Sequence, residues 1–93
     1  MNTTARNNAD ESRYELKGDG RIVSVAEYKV VDGVVVFTHT ETVEDLRGQG
    51  YAERLVEFAL DDVRLTDRTV VPRCEFVRNY IASHPQYGDL LAA

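Results

Sequence analysis

The hydrophobic pattern of the chain changes once, from strand-like to helix-like, and this change most constrains the fold. Up to Val43 the apolar residues alternate with polar ones or form β-rich runs, and after Gly50 they recur with helical spacing. The helical positions fall at i, i+3, i+4, i+7, i+8 and i+11, and they are Ala52, Leu55, Val56, Ala59, Leu60 and Val63. We therefore predict a sheet with an amphipathic helix packed on it.

The strand-like pattern up to Val43 predicts two to four successive antiparallel strands, with three as the preferred number. The strand-like runs are Tyr14–Leu16, Ile22–Val31 and Val34–Val43. Asp32-Gly33 lies between two valine-rich runs, and this is the strongest short-range sequence signal for a β-hairpin. Residues 1–12 have no apolar periodicity and are predicted to form a flexible N-terminal tail, so residues 13–93 are predicted to form one domain.

The part after the helix predicts one more strand and one more helix. Thr69–Val71 reads as a short strand that Pro72 stops, and a second helix is predicted from about Glu75 to His84-Pro85. A last turn is predicted at residues 87–91. The order is β-β-β-α-β-α, which predicts an α+β fold with a mostly antiparallel mixed sheet of four to five strands and two main helices.

Composition excludes several classes of protein. Of 93 residues, 43% are apolar and 29% are charged, which is ordinary for a folded domain. The net charge of -5 disfavours nucleic-acid binding, and no apolar run approaches the ~20 residues that cross a bilayer. Cys74 is the only cysteine, so neither an internal disulfide nor a zinc cluster is expected. These features predict a cytoplasmic protein, without a secretion signal or a metal, that is a monomer.

The segment between the third predicted strand and the helix is the part that indicates chemistry. Gly48 and Gly50 allow a tight loop, and the amides at the start of the next helix point back toward it. Arg47 adds a positive charge, so the segment predicts a site for a phosphate or pyrophosphate. It is neither a dinucleotide fingerprint, since Glu53 stands where a third glycine is needed, nor a P-loop, since no Gly-Lys-Ser/Thr occurs. Two turn glycines without a ligand are the alternative.

The same segment resembles a known family motif. Arg47-Gly48-Gln49-Gly50-Tyr51-Ala52 matches the R/Q-x-x-G-x-G/A motif of the GNAT superfamily of acetyl-CoA-dependent N-acetyltransferases. Further similarity is carried by His39-Thr40, Val71-Pro72-x-Cys74-x-Phe76-Val77, Tyr80 and His84-Pro85-x-Tyr87. Together they resemble the short, single-domain GNAT-like subfamily over about residues 14–91.

The resemblance implies roles for individual residues. It implies that the amides of the loop hold the pyrophosphate of coenzyme A, with the site formed by Arg47, Gly48, Gln49, Gly50, Tyr51 and Ala52. It also places Asn79 and Tyr80 on a helix that flanks the sulfur end of the coenzyme. Tyr80 is then a candidate acid that protonates the leaving thiolate, although a tyrosine in an amphipathic helix is often only a core residue.

Two further residues, His39 and Cys74, are the main candidates for catalysis. His39 lies on the strand expected beside the pantetheine arm and is a candidate general base, with Glu41 as a second. Cys74 is predicted near a helix N-terminus, which favours the thiolate, and it is a candidate acceptor of the acetyl group. Both residues have a structural alternative as packing residues, and direct transfer to the amine needs no covalent intermediate.

The chain also departs from the larger superfamily. Only residues 17–21 separate the first two predicted strands, where a full-sized GNAT has two helices that help to form the acceptor site. The prediction is an acetyl-CoA-dependent N-acetyltransferase that acts on a primary amine of unknown identity, either a small molecule or a protein lysine. The alternatives are a non-catalytic module that binds coenzyme A or acyl-CoA and works with a protein partner, and an interaction domain whose loop binds nothing.

Overall fold

The computed structural model describes residues 1–93 and contains five strands and two α-helices. The strands are β1 (Thr3–Asn8), β2 (Arg13–Gly18), β3 (Arg21–Val31), β4 (Val34–Thr42) and β5 (Thr69–Pro72). The helices are α1 (Tyr51–Arg64) and α2 (Glu75–Ser83), and short 3-10 turns lie at Ala9–Glu11, Glu44–Leu46 and Pro85–Leu90.

The strands form one mixed sheet in the order β1-β2-β3-β4-β5. The first four strands are antiparallel neighbours, and β5 pairs with β4 in parallel after the chain has crossed over through α1. The predicted α+β class, the mixed sheet and the two main helices are confirmed. The sheet has four consecutive antiparallel strands at its start, one more than the preferred prediction of three.

Two tight turns set the register of the antiparallel strands. Asp32 and Gly33 connect β3 to β4 with φ values of 51° and 78°, so the predicted hairpin is confirmed. Asp19 and Gly20 connect β2 to β3 with φ values of 50° and 79°. Positive φ at both central residues defines the type I′ turn, whose twist matches that of the strands.

The N-terminal tail that we predicted for residues 1–12 is wrong for Thr3–Asn8, which form strand β1 along β2. The prediction failed because Ala5 is the only apolar residue of this strand. Ala5 packs against the hydrophobic core, and the Asn7 side chain accepts a 2.7 Å hydrogen bond from the Tyr28 hydroxyl. Contacts with distant residues therefore hold β1, and local hydrophobic periodicity does not reveal them.

Both helices pack on one face of the sheet and close a single core. The apolar stripe of α1 is buried at Leu55, Val56, Ala59, Leu60 and Val63, as the sequence pattern predicts. These side chains form one cluster with residues from β2, β3, β4, β5 and α2. In the centre of the sheet Phe37 is fully buried, so β4 is firmly anchored where the adjoining site begins. Neither helix has the length and apolar character needed to cross a membrane.

A buried carboxylate joins β1 to β2 on the sheet face opposite the helices. Glu15 has only 1% of its surface exposed and accepts hydrogen bonds from Arg6 (3.1 Å), Asn8 (3.0 Å) and Arg13 (2.7 Å). Burial alone would raise the pKa of Glu15, but the bonds from Asn8, Arg13 and Arg6 outweigh it and lower the pKa to about 2. Two of these three partners come from β1, so the ionised carboxylate holds the N-terminal strand in place.

We expect this carboxylate to make folding pH-dependent in the acid range. The pKa is lower in the folded protein than its ordinary value of 4.5, so its stabilisation is complete above pH 4.5 and is lost toward pH 2. The loss is on the order of 3 kcal/mol if the whole shift acts on folding. Urea unfolding at a series of pH values should show it, and Glu15→Gln should have a flatter dependence over this window. Equal slopes for the two proteins would contradict the assignment, because the other carboxylates contribute equally to both.

Candidate active site

A groove opens where β4 and β5 separate. The two strands pair only from Val34↔Thr69 to Phe37↔Pro72, and the Cys74 N–H then donates a 2.9 Å hydrogen bond to the Phe37 carbonyl. Beyond this bond the chain turns into α2, while β4 continues to Thr42 with β3 on one side and no strand on the other. The resulting groove has a volume of about 430 Å³. Its lining comprises His39, Thr40, Glu41, Thr42, Leu46, Arg47, Gly48, Gly50, Tyr51, Ala52, Glu53 and Phe76.

A β-bulge determines which backbone groups of β4 face this groove. Thr38 has no partner on β3, since Tyr28 pairs with Phe37 and Glu27 pairs with His39. After the bulge the Val43 N–H donates to a β3 carbonyl at 2.9 Å, whereas the Thr42 carbonyl accepts a 3.0 Å bond from the Arg47 side chain. Because backbone groups alternate along a strand, those of Thr40 face the groove as well. The free edge of β4 therefore offers hydrogen-bonding groups to an extended ligand.

The glycine loop leads directly into the N-terminus of α1. Gly48 and Gly50 have φ values of 77° and 85°, which an L-residue rarely adopts. Gly50 is the N-cap of the helix, and the first helical bond runs from the Arg54 N–H to the Gly50 carbonyl at 3.1 Å. None of the six backbone N–H groups of residues 48–53 donates to a protein acceptor. Since these amides lie at the positive end of a 14-residue helix, the loop has the geometry of an anion site.

Arg47 supplies the only Lys or Arg side chain of the groove lining. Its Nε atom is held by the Thr42 carbonyl, which keeps the guanidinium beside the loop. Glu41 and Glu53 bring negative charge to other parts of the lining. The charge of the groove is therefore divided, with its positive part at the loop and the helix N-terminus.

The structure brings most of the candidate coenzyme residues to this groove. Arg47, Gly48, Gly50, Tyr51 and Ala52 line it, and Gln49 lies exposed between the two glycines. Asn79 is exposed on α2 and does not line the groove. Its role in coenzyme binding remains a prediction, and no contact to the groove supports it.

The three candidate catalytic residues lie at different places. His39 lines the groove, and its Nε2 atom is 3.4 Å from a Glu41 carboxylate oxygen. Cys74 is the N-cap residue of α2, half-buried, and its Sγ atom is 3.5 Å from the hydroxyl of Thr40, a lining residue. Tyr80 is buried, stacks on His84 with 3.9 Å between ring centroids, and lines a separate hollow.

Sequence reasoning assigned no role to five residues that line the groove: Thr40, Thr42, Leu46, Glu53 and Phe76. Glu53 lies in the first turn of α1. Side chains alternate between the two faces of a strand, so residues two apart on β4, such as Thr40 and Thr42, share one face. This alternation could have indicated both threonines as site residues, once the strand was known to end at the loop. Leu46 lies in the 3-10 turn after β4, and Phe76 lies in the first turn of α2. Only the three-dimensional arrangement of these elements places the last two beside the loop.

Comparison with known families agrees with this geometry. Residues 13–90 match the family model described as GCN5-related N-acetyl-transferase. The chain belongs to this family. Members of the family use acetyl-CoA, so the resemblance carried by the glycine loop is confirmed at the level of the family. No curated protein sequence matches the chain significantly.

Solved structures show the same fold. The solution NMR structure of a GCN5-like protein from Staphylococcus aureus superposes with a TM-score of 0.74 at 17% identity, covering 97% of this chain and 88% of that one. The ribosomal-protein-S18-alanine N-acetyltransferase of Escherichia coli gives 0.65 at 16% identity, covering 76% of this chain and 49% of that one. A ribosomal-protein-alanine N-acetyltransferase from Brucella melitensis biovar Abortus 2308 gives 0.55 at 19% identity, covering 90% and 66%. The chain thus covers about half to two thirds of the length of the two ribosomal-protein enzymes.

The anion-site geometry of the loop can be tested with inorganic pyrophosphate as a probe. We expect pyrophosphate to shift the amide NMR signals of residues 48–53, and Gly50→Ala to weaken binding about tenfold, because alanine disfavours the left-handed backbone by roughly 1–2 kcal/mol. The matched control is Gly20→Ala, since Gly20 has a φ of 79° and, like Gly50, has open space where a Cβ would lie. Equal weakening in both variants would show that the effect is one of stability and that the loop is not the site.

Proposed function

We propose that the protein is an acetyl-CoA-dependent N-acetyltransferase that transfers an acetyl group to a primary amine. The observation that carries this proposal is the set of unpartnered amides at residues 48–53, which opens on the groove along the free edge of β4. Membership in the GCN5-related family supports the same activity.

The pyrophosphate of coenzyme A fits the positive part of the groove. Its two phosphates would accept hydrogen bonds from the amides that begin α1, and the helix dipole would stabilise their charge. The Arg47 guanidinium beside the loop would add a direct ionic contact. The narrow loop without Cβ atoms at Gly48 and Gly50 lets the phosphates approach the backbone closely.

The pantetheine arm fits the free edge of β4. This arm contains two amides, and the backbone groups of Thr40 together with the Thr42 N–H, which face the groove, can pair with them as a neighbouring strand would. A backbone N–H on this edge would then lie near the thioester carbonyl. There it would stabilise the oxyanion that forms when the amine attacks.

His39 is the proposed general base for this attack. A primary amine is an ammonium ion near neutral pH, and it must lose a proton before its nitrogen can attack the thioester carbon. The His39 side chain is 55% exposed at the groove, and its Nε2 atom lies 3.4 Å from a Glu41 carboxylate oxygen. The amine nitrogen forms the new bond to carbon, the carbon–sulfur bond breaks, and coenzyme A leaves as a thiolate with the sulfur electron pair. The nitrogen then loses its second proton, and the thiolate takes up one proton to give the free thiol.

The acceptor would be approached without the helices that larger relatives use. Asp19 and Gly20 form the whole connection between β2 and β3, so no helix follows β2. This openness suits an acceptor that is presented on a large molecule, such as a lysine side chain, as well as a small amine. It also suits the second candidate function, a coenzyme A-binding module whose partner supplies the acceptor site.

Thiol release from acetyl-CoA with a panel of amines tests the activity. We expect amine-dependent release above a no-amine control, and His39→Gln should lower kcat by about a hundredfold while leaving the Kd for coenzyme A unchanged. Glu75→Gln is the control, because Glu75 is exposed on α2 outside the groove. Coenzyme A binding without amine-dependent release would favour the non-catalytic module, and absence of binding would refute both functions.

Cys74 distinguishes direct transfer from a two-step route. In the two-step route Sγ would attack the thioester, form an acetyl-cysteine and then pass the acetyl group to the amine. We expect direct transfer, because Cys74 packs against the core and does not line the groove. Intact-protein mass spectrometry after incubation with acetyl-CoA should show no adduct, and Cys74→Ser should keep turnover. An acetyl adduct on Cys74 together with an inactive Cys74→Ser variant would establish the two-step route.

A further inference from the structure

A hollow lies beside the groove, on the face of the sheet that carries no helix. It has a volume of about 170 Å³ and a mostly apolar lining, which comprises Ile22, Val23, Ser24, Val25, Glu41 and Val43. Glu41 also lines the groove, so the two cavities are neighbours. The proposed acetyl transfer uses none of the other residues of this hollow.

The strand register places the hollow on the helix-free face. Val25 pairs with Glu15 of β2 and with Glu41 of β4, and residues that pair across strands share a face of the sheet. Glu15 lies on the helix-free face, because its neighbours Tyr14 and Leu16 belong to the core beneath the helices. Val25 and Glu41 therefore lie on the helix-free face as well.

Valines form the floor of the hollow. The Val43 N–H donates a 2.9 Å hydrogen bond to the Val23 carbonyl, which continues the ladder by one pair beyond Thr42. Val23 and Val43 thus share the face of Val25, since residues two apart on a strand point the same way. Val23 has none of its surface exposed, although it does not belong to the core cluster beneath the helices. The helix-free face therefore has an apolar surface of its own beside the groove.

The groove borders both faces of the sheet. Successive residues of a strand point to opposite faces, and the groove is lined by His39 and Glu41 as well as by Thr40 and Thr42. Thr40 points toward α2, because its hydroxyl is 3.5 Å from the Cys74 Sγ atom. His39 and Glu41 therefore point to the helix-free face. A ligand on that face can approach the free edge of β4 past these two side chains.

The proposed general base lies close to the hollow. His39 and the Val25–Glu41 pair are two residues apart along β4, which corresponds to about 7 Å. The Glu41 carboxylate is directed toward His39, at 3.4 Å from its Nε2 atom, so the methylene stem of Glu41 borders the hollow. A hexyl chain is long enough to extend from a nitrogen at His39 into the hollow.

We propose that the acceptor is a primary amine with an unbranched alkyl segment, and that the hollow binds this segment while the amine lies at His39. This inference rests on the proposed function. Burial of methylene groups against Val23, Val25 and Val43 would stabilise the complex. A second charged group at the end of the chain would lose its water against these valines, which disfavours it. The hollow therefore selects alkylamines over diamines and over amines with short chains.

Steady-state thiol release from acetyl-CoA with a series of alkylamines, from ethylamine to hexylamine, tests the proposal. We expect kcat/KM to rise about twofold for each added methylene, which is less than full burial would give, because one side of the chain stays in water. The compound 1,5-diaminopentane differs from hexylamine only in its terminal group, and its kcat/KM should be about tenfold lower.

Val25→Thr and Val31→Thr form a matched pair of variants. Both place a hydroxyl on β3, but Val31 is exposed at the end of the strand and lines neither cavity. Val25→Thr should lower the ratio of kcat/KM for hexylamine to that for ethylamine about threefold, and Val31→Thr should leave this ratio unchanged. In the unsubstituted protein with bound coenzyme A, hexylamine should shift the amide NMR signals of Val23 and Val25.

Each contrary result would overturn the proposal. Equal kcat/KM values along the series, or an equal change of the ratio in both variants, would show that the hollow does not bind the alkyl segment, while acetyl transfer itself would stand. Efficient acetylation of the diamine, or unchanged NMR signals of Val23 and Val25, would place the chain elsewhere. If no amine is acetylated, the proposed function is refuted and this acceptor site with it. Thermal unfolding shows whether both variants retain the fold, and the amine series depends on neither.

Discussion

The hydrogen bond from the Cys74 N–H to the Phe37 carbonyl fixes the place where the sheet divides, and the candidate site depends on it. Pro72, the last residue of β5, has no N–H and cannot extend the ladder along β4. The Cys74 N–H, two residues further on, makes the last bond to β4, and α2 begins at Glu75. The rest of β4 is left without a neighbour on that side, so the edge that a ligand needs begins where this last bond ends the contact between the two chain segments.

The separation of β5 from β4 also explains why the glycine loop and β4 form one site. β4 ends at Thr42, the 3-10 turn that follows it ends at Leu46, and Arg47 reaches back to the Thr42 carbonyl. This contact holds the start of the glycine loop against the end of the free edge. The unpartnered amides of α1 and the unpartnered edge of β4 therefore form one continuous surface, although separate elements of the chain supply them. A phosphate and an extended amide chain are the two chemical groups that such a surface accommodates.

The sequence predicted the parts of the fold that local pattern determines. The stripe of α1, the Asp32-Gly33 hairpin and the loop between β4 and α1 each follow from residues close together in the chain, and each is where the pattern placed it. Strand β1 was not predicted, because polar side chains such as Arg6 and Asn8 hold it by reaching the buried Glu15. The position of Tyr80 was not predictable either. Its place on α2 followed from the pattern, but the hollow that it faces depends on how the two helices pack.

Strand β1 also influences the electrostatics of α1, at a distance from its own hydrogen bonds to β2. Thr3 of β1 accepts a 2.7 Å hydrogen bond from the Arg54 guanidinium. Arg54 is thereby directed toward β1, while Glu53 and Glu57 on the same helix form no ion pair. One helix therefore presents unpartnered amides to the groove at its N-terminus and exposed carboxylates at Glu53 and Glu57. The segment that looked least structured in the sequence thus positions one of the charged side chains of this helix.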